Sequence, residues 1–136
     1  MATRLNPYIN FRGNARQAME FYQSVFGGEL RMNTFGEYGS DESVVADQIM
    51  HAQLETPAGY TLMASDTPAN MPLNPGDHIT ISLSGDDAEQ LRGYWGKLSA
   101  GGKVSMPLEK QMWGDEFGSC TDQFGIQWMV NIAQPS

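Results

Sequence analysis

Two histidines are the side chains of this sequence best suited to chemistry near neutral pH. His51 shares one face of a predicted strand with Ile49 and Gln53, and His78 opens a second stretch of alternating residues. Because imidazole changes charge close to neutral pH, such rings could hold an anionic group of a ligand or transfer a proton. The competing interpretation is that each ring is hydrogen-bonded within a sheet.

The segment 112–118 combines aromatic, acidic and glycine residues in a predicted loop that leads into a strand. Trp113 could stack on a flat ligand, and Asp115 or Glu116 could accept a proton or a hydrogen bond. The same residues could instead close a cavity against a partner subunit. We take Trp113 as a candidate ligand-binding residue.

Nine methionines are many for 136 residues, and several fall in or beside predicted strands. Thioethers adapt to irregular apolar ligands, although core packing is the simpler explanation for most of them. Cys120 has no neighbour in sequence that would lower its pKa, so no nucleophilic role is predicted for it, and no catalytic residue is assigned.

The first half of the chain begins with a predicted strand at 6–11 and a helix at 14–26. In the strand, Tyr8 and Asn10 alternate with apolar residues, so they are candidate ligand-binding residues on the polar face. Apolar residues at helical spacing predict an amphipathic helix that Asn14 caps and a glycine pair ends. Three further strands follow, at 29–34, 48–56 and 60–65.

The second half repeats this order, with a strand at 78–83, a helix at 87–99 and three strands at 103–108, 116–121 and 127–132. The segment 9–11 matches 81–83 at an offset of 72, and both helices are followed by a glycine pair, as expected of a duplicated module. The sequence therefore predicts an α+β single domain, 1–136, made of two βαβββ modules. Module one spans 1–66, a linker 67–76, and module two 77–136. A glycine-rich strand-to-helix turn, which a dinucleotide-binding or Rossmann-type methyltransferase domain would need, is missing from this pattern.

Several motifs, in order, resemble the PhnB-like branch of the glyoxalase, bleomycin-resistance and dioxygenase (vicinal oxygen chelate) superfamily. They are Asn6-Pro7-Tyr8-Ile9-Asn10-Phe11, Glu20-Phe21-Tyr22, Phe26-Gly27-Gly28, Met50-His51-Ala52, His78-Ile79-Thr80-Ile81-Ser82-Leu83, and Trp113-Gly114-Asp115 with Phe117-Gly118. The resemblance implies a curved mixed sheet around a small-molecule cup, often completed in a homodimer. It also implies metal ligands on the first and last strand of each module in the metal-dependent relatives.

Carried over to this sequence, those ligand positions are Asn6 and Met63 in module one, and His78 and Met129 in module two. Only histidine among them is a usual ligand, because hard divalent ions prefer ionised oxygen donors to amides and thioethers. We therefore predict no metal site of the family type and no cofactor.

Two functions follow as competing hypotheses. The first is a metal-free protein that binds a small molecule through His51, His78, Met63, Met129, Trp113, Tyr8 and Asn10. The second is a metal-dependent lyase, isomerase or dioxygenase that uses His51 and His78 with a carboxylate such as Asp47 or Glu116; two histidines and one carboxylate suffice for that chemistry.

The composition of the chain indicates which binding partners and which cellular compartment to expect. Sixteen acidic and eight basic residues give a formal charge of −8, which disfavours nucleic-acid binding, and the acidic run 37–47 predicts a solvated loop. No segment approaches the roughly 20 apolar residues that span a bilayer, and residues 1–6 lack the apolar core of a signal peptide, so we expect neither membrane insertion nor export. A single cysteine suits a reducing compartment, so we expect a cytoplasmic location.

Overall fold

The computed structural model describes residues 3–38 and 47–134, so most of the acidic run 37–47 lies outside the described residues. The chain divides into two compact units, residues 1–75 and 76–136. The division falls at the end of the predicted linker 67–76. Each unit has the order strand, helix and three strands, which confirms the predicted α+β fold of two βαβββ modules.

Unit one is a four-stranded sheet with one long helix. Its elements are β1 (Tyr8–Phe11), α1 (Ala15–Phe26), β2 (Glu29–Thr34), a short 3-10 helix (Phe35–Tyr38), β3 (Ile49–Glu55) and β4 (Thr61–Asp66). The strand order is β1-β4-β3-β2. β1 and β4 run parallel, and the other two pairs are antiparallel.

Unit two repeats the arrangement. Its elements are β5 (Ile81–Gly85), α2 (Ala88–Ser99), β6 (Lys103–Lys110), β7 (Glu116–Thr121) and β8 (Gln127–Ile132). The strand order is β5-β8-β7-β6, with β5 and β8 parallel. No helix in the described part of the chain has the length and apolar character needed to cross a membrane.

Each helix covers one face of its own sheet through an apolar stripe. The buried residues of α1 are Ala15, Ala18, Met19, Tyr22, Val25 and Phe26, and those of α2 are Leu91, Tyr94 and Leu98. The Asp87 side chain accepts the backbone N–H of Gln90 and so caps α2. Asn14 is the N-cap residue of α1, as predicted, and its carbonyl accepts the N–H of Ala18. Its side chain makes no capping hydrogen bond, and the Asp66 carboxylate accepts the N–H of Ala15 instead.

The other face of each sheet, which we call the helix-free face, carries polar side chains and the thioethers of Met63, Met106 and Met129. This assignment follows from the alternation of burial along the strands and from cross-strand register, since paired residues share a face. In unit one the helix-free face includes Tyr8, Asn10, Arg31, Asn33, His51, Gln53, Met63 and Ser65. In unit two it includes Ser82, Ser84, Met106, Glu109, Phe117, Ser119, Met129 and Asn131.

Three details of the predicted strands are corrected. β1 begins at Tyr8, so Asn6 precedes the strand, and β5 begins at Ile81, three residues after His78. The register between β2 and β3 shifts so that Asn33 pairs with His51 while Thr34 pairs with Ile49. This bulge turns Ile49 into the core, where it is 1% exposed, away from the face that carries His51.

Candidate functional site

The helix-free face of unit one brings Tyr8 and His51 together. The Tyr8 hydroxyl lies 3.4 Å from Nδ1 of His51, and the two ring centroids are 5.8 Å apart at 35°. The residues come from β1 and β3, which lie on either side of β4. Tyr8 is 47% exposed, so the pair presents an aromatic surface with hydrogen-bonding atoms.

Met63 lies on β4, between the strands that carry Tyr8 and His51. In the sheet it pairs with Tyr8 on one side and with Gln53 on the other, and Asn10 pairs with Ser65 one step along β4. A ring, an imidazole, a thioether and short polar groups are therefore adjacent. Together they can contact apolar atoms and satisfy hydrogen-bonding groups of one small molecule.

Charged side chains at the edge of this face are already engaged with one another. The Arg31 guanidinium donates to Glu29, Nε to Oε1 3.2 Å, and this hydrogen bond and the charges of Glu29 and Glu55 raise the pKa of Arg31. Gln53 donates to Glu55 at 3.1 Å, and Arg4 lies 3.7 Å from the same carboxylate oxygen. The carboxylates next to the Tyr8–His51 pair thus have partners.

The helix-free face of unit two carries an aromatic pair. Trp113 meets Phe117 edge to face, with ring centroids 6.2 Å apart at 63°, and Trp113 is 59% exposed. Trp113 lies in the turn that connects β6 and β7, and Phe117 is the second residue of β7. Asp115, at the end of the turn, accepts hydrogen bonds from the Asn131 amide and from the Gln134 backbone N–H.

The predicted site residues therefore fall into two groups and one outlier. Tyr8, Asn10, His51 and Met63 lie on the helix-free face of unit one. Met129 lies on that of unit two, where it pairs with Ser82 and Ser119, and Trp113 packs on the same face through Phe117. His78 is exposed ahead of β5 and belongs to a different unit from His51.

The family's metal positions do not fit a divalent ion in this register. The residues paired with Met63 and Met129 are Tyr8 and Ser82, rather than Asn6 and His78. Two thioethers, a phenol and an aliphatic hydroxyl lack the ionised donors that a hard cation needs. Within residues 3–38 and 47–134, no three His, Cys, Asp or Glu side chains are grouped as metal ligands.

Sequence reasoning placed Gln53 on the face of His51, but it missed Phe117 and Asn131 as members of the helix-free face of unit two. Phe117 pairs with Asn131 across the sheet and contacts Trp113. The alternation of Phe117, Ser119 and Thr121 with the buried Gly118 and Cys120 carried this information in the sequence.

Known proteins and a family model align with nearly the whole length of this chain. Residues 3–131 match the model of the family described as 3-demethylubiquinone-9 3-methyltransferase. Protein YjdN from Escherichia coli (strain K12) is 31% identical over 96% of this chain and 95% of its own length. The crystal structure of protein PA1353 from Pseudomonas aeruginosa is 36% identical, covers 98% of this chain and 100% of that chain, and superposes with a TM-score of 0.87.

More distant solved structures share the fold. A protein from Bacillus cereus described as a 3-demethylubiquinone-9 3-methyltransferase and PhnB protein is 22% identical, with 96% of this chain and 100% of that chain covered and a TM-score of 0.78. Structures of glyoxalase, bleomycin-resistance and dioxygenase proteins match at TM-scores of 0.68 and 0.61. These matches show that the chain has the fold that the resemblance of its sequence motifs implies.

Proposed function

The chain belongs to the PhnB-like family described as 3-demethylubiquinone-9 3-methyltransferase, in the glyoxalase, bleomycin-resistance and dioxygenase superfamily, and from that premise we propose that it binds a small organic molecule. The proposed site is the helix-free face of unit one. The main support for the proposal is the contact between the Tyr8 hydroxyl and His51 Nδ1. It brings together side chains from two non-adjacent strands, β1 and β3, and leaves the Tyr8 ring partly exposed to a ligand.

The chemistry of the pair indicates which atoms of a ligand it would meet. When the Tyr8 hydroxyl donates to Nδ1 of His51, the imidazole proton stays on Nε2 and can be donated to an oxygen acceptor. The Tyr8 ring and the Met63 thioether supply apolar contact beside it. A partly apolar molecule with a carbonyl, phenolate or carboxylate oxygen matches these groups.

We propose that this binding requires no metal. In the opposing hypothesis, His51 and His78 recruit an ion with a carboxylate such as Glu116, but Glu116 is paired with Arg92 of α2. Elemental analysis of protein purified without chelator tests the point. Stoichiometric Fe, Mn, Ni or Zn that is lost in both His51→Ala and His78→Ala would replace our proposal with the metal-dependent enzyme.

The binding experiment starts from native mass spectrometry of gently purified protein, which identifies any molecule that co-purifies. Thermal-shift assays then compare phenols, quinones, aromatic carboxylates and S-adenosylmethionine; the last tests the methyl transfer that the family's name denotes. His51→Gln removes the imidazole N–H proposed to contact the ligand, and Tyr8→Phe removes the hydrogen bond that keeps the imidazole proton on Nε2. Each variant should weaken the best ligand about 5- to 10-fold.

Tyr60→Phe is the matched control, because it removes the same hydroxyl from a ring that packs edge-on against Phe26 of α1. Its affinity should equal that of the unchanged protein. Equal affinities in all three variants would contradict the proposed site, and protection by no compound of the panel, with nothing co-purified, would contradict small-molecule binding.

A homodimer, which the family resemblance implies, is the remaining part of the proposal. Multi-angle light scattering after size exclusion should give twice the chain mass at micromolar concentration. A mass that stays at one chain would contradict the dimer and leave the binding site as proposed.

A further inference from the structure

The hydrogen-bonded turn between β6 and β7 carries two exposed apolar side chains, Met112 and Trp113. Met112 is 98% exposed and Trp113 59%. The Gln111 N–H donates to the Asp115 carbonyl at 2.8 Å, and the Gly114 N–H donates to the Gln111 carbonyl at 3.0 Å. Gly114 adopts a φ of 104°, which a residue with a side chain rarely adopts. An exposed tryptophan in an ordered turn can serve as the main contact of a binding surface.

Two carboxylates, those of Glu109 and Asp115, lie near the aromatic pair of Trp113 and Phe117. Glu109 pairs with Phe117 across the strands, so its side chain lies on the same face one strand away. The Asp115 carboxylate lies at the end of the turn, where Asn131 and Gln134 hold it. Both acids therefore lie within one strand or one turn of the exposed rings.

Of the basic side chains near this sheet, Arg92 and Lys110 belong to the covered face, whereas Lys103 lies on the helix-free face but far from the turn. Arg92 of α2 pairs with Glu116, which marks the helix-covered face. Lys110 pairs with Glu116 across the strands and therefore lies on that covered face as well. Lys103 pairs with Thr121 at the opposite end of β6. On the helix-free face, the charged side chains that register and hydrogen bonds place next to Trp113 and Phe117 are therefore carboxylates, in a chain of formal charge −8.

We propose that Trp113, Phe117 and Glu109 form a binding site for a small organic cation, such as a quaternary ammonium or a protonated arylalkylamine. Aromatic faces attract cations through their quadrupole, and a neighbouring carboxylate adds to this attraction. An alkylammonium group also buries its methyl groups against the rings, which a metal ion or a hydrated inorganic cation does not. The site lies within unit two and does not depend on the site proposed on unit one.

Three probes of similar shape but different charge test the site: benzyltrimethylammonium, the neutral dimethylbenzylcarbinol and the anionic benzylsulfonate. Binding to the full chain is followed by the indole N–H signals of Trp95, Trp113 and Trp128 in two-dimensional NMR. The signal that Trp113→Leu removes identifies Trp113. The cation should shift that signal and bind about 3-fold or more tightly than the neutral probe, and its affinity should fall as salt is raised.

Variants separate the charge effect from plain apolar contact. Glu109→Gln should lower the affinity for benzyltrimethylammonium about 3-fold and leave that for dimethylbenzylcarbinol unchanged. Trp113→Leu should abolish the shift, and Glu89→Gln, an equal change of charge in the first turn of α2, should change nothing. Circular dichroism confirms that each variant is folded.

Equal binding of the neutral probe, or tighter binding of benzylsulfonate, would overturn the cation site and leave only an apolar patch. An unchanged affinity in Glu109→Gln would have the same meaning. If none of the three probes shifts the Trp113 signal at millimolar concentration, the surface is not a site for small organic ligands at all. These outcomes do not bear on the Tyr8–His51 site, whose variants and ligands are different.

Discussion

The Asp122 carboxylate accepts a hydrogen bond from the indole N–H of Trp128, Nε1 to Oδ2 2.8 Å, inside the core of unit two. Its other oxygen accepts the backbone N–H groups of Phe124 and Ile126 at 2.8 and 3.1 Å. Asp122 is 3% exposed and Trp128 1%. One buried charge therefore holds the turn between β7 and β8 against the largest buried side chain of the unit.

Removal of the buried Asp122 carboxylate should be strongly destabilising. Asp122→Ala removes the acceptor of one buried indole N–H and of two half-buried backbone N–H groups, so we expect a loss of about 3 kcal/mol in the free energy of unfolding. Urea denaturation followed by tryptophan fluorescence measures it. The control Asp86→Ala, at an exposed position, should stay within about 0.5 kcal/mol of the unchanged protein. Equal stabilities of the two variants would show that the Asp122 network contributes little.

Asp66 has the corresponding role in unit one, where it joins three elements. One carboxylate oxygen accepts the N–H groups of Gly13 and Ala15 at 2.8 and 3.0 Å, and the other accepts that of Ile49 at 2.9 Å. The charge also lies at the positive end of α1, where an anion is stabilising.

Asp66→Asn should lower the free energy of unfolding by about 1–3 kcal/mol, because the amide keeps one acceptor but places N–H donors against a backbone N–H. Hydrogen exchange should show faster opening of the first turn of α1 than in the unchanged protein. Asp77→Asn removes an equal charge at an exposed position and should leave both measurements unchanged. Protection at Ala15 that is identical in the two variants would contradict the capping role.

The order of elements and both helices could be predicted because their signals are local. Apolar residues at helical spacing placed the helices at 14–26 and 87–99, within one residue of the observed α1 and α2. The glycine pairs after them marked the beginning of the next strand. These features depend on neighbours within a few positions, which the sequence displays directly.

Strand limits and faces depended on partners that are distant in sequence. The alternation in the sequence extends back to Asn6 and His78. In the structure, however, β1 begins only at Tyr8, which pairs with Met63, and β5 begins only at Ile81, which pairs with Trp128. The match of strand residues 9–11 with 81–83 was out of register for the same reason, because Tyr8 and Ser82 are the residues paired with Met63 and Met129. Asp66 caps α1 from the end of β4, a contact that periodicity does not show.

The two glycine pairs make close approaches that a methyl group would block. A Cβ on Gly102 would lie 2.2 Å from the Thr121 carbonyl oxygen, and one on Gly28 would lie 2.1 Å from that of Glu55. Gly102→Ala should therefore cost about 2–3 kcal/mol, since backbone must move. Gly96→Ala, in α2 with nothing within 4 Å of the added atom, should instead stabilise by about 0.5–1 kcal/mol. Thermal denaturation that shifts in the same direction for both variants would contradict this difference.

Burial raises the pKa of the Cys120 thiol to about 11, and the charge of Asp122 adds to the effect. The folded chain thus keeps the thiol protonated at a pH where the unfolded chain, with its ordinary value of 9.0, ionises it. The stabilisation is therefore complete below pH 9 and is lost progressively as pH rises toward 11. Measured between pH 8 and 10.5, the free energy of unfolding should fall more steeply in the unchanged protein than in Cys120→Ala, which has no thiol to titrate. Parallel curves would show that the thiol ionises equally in both states, and so that the surroundings of Cys120 do not oppose its charge.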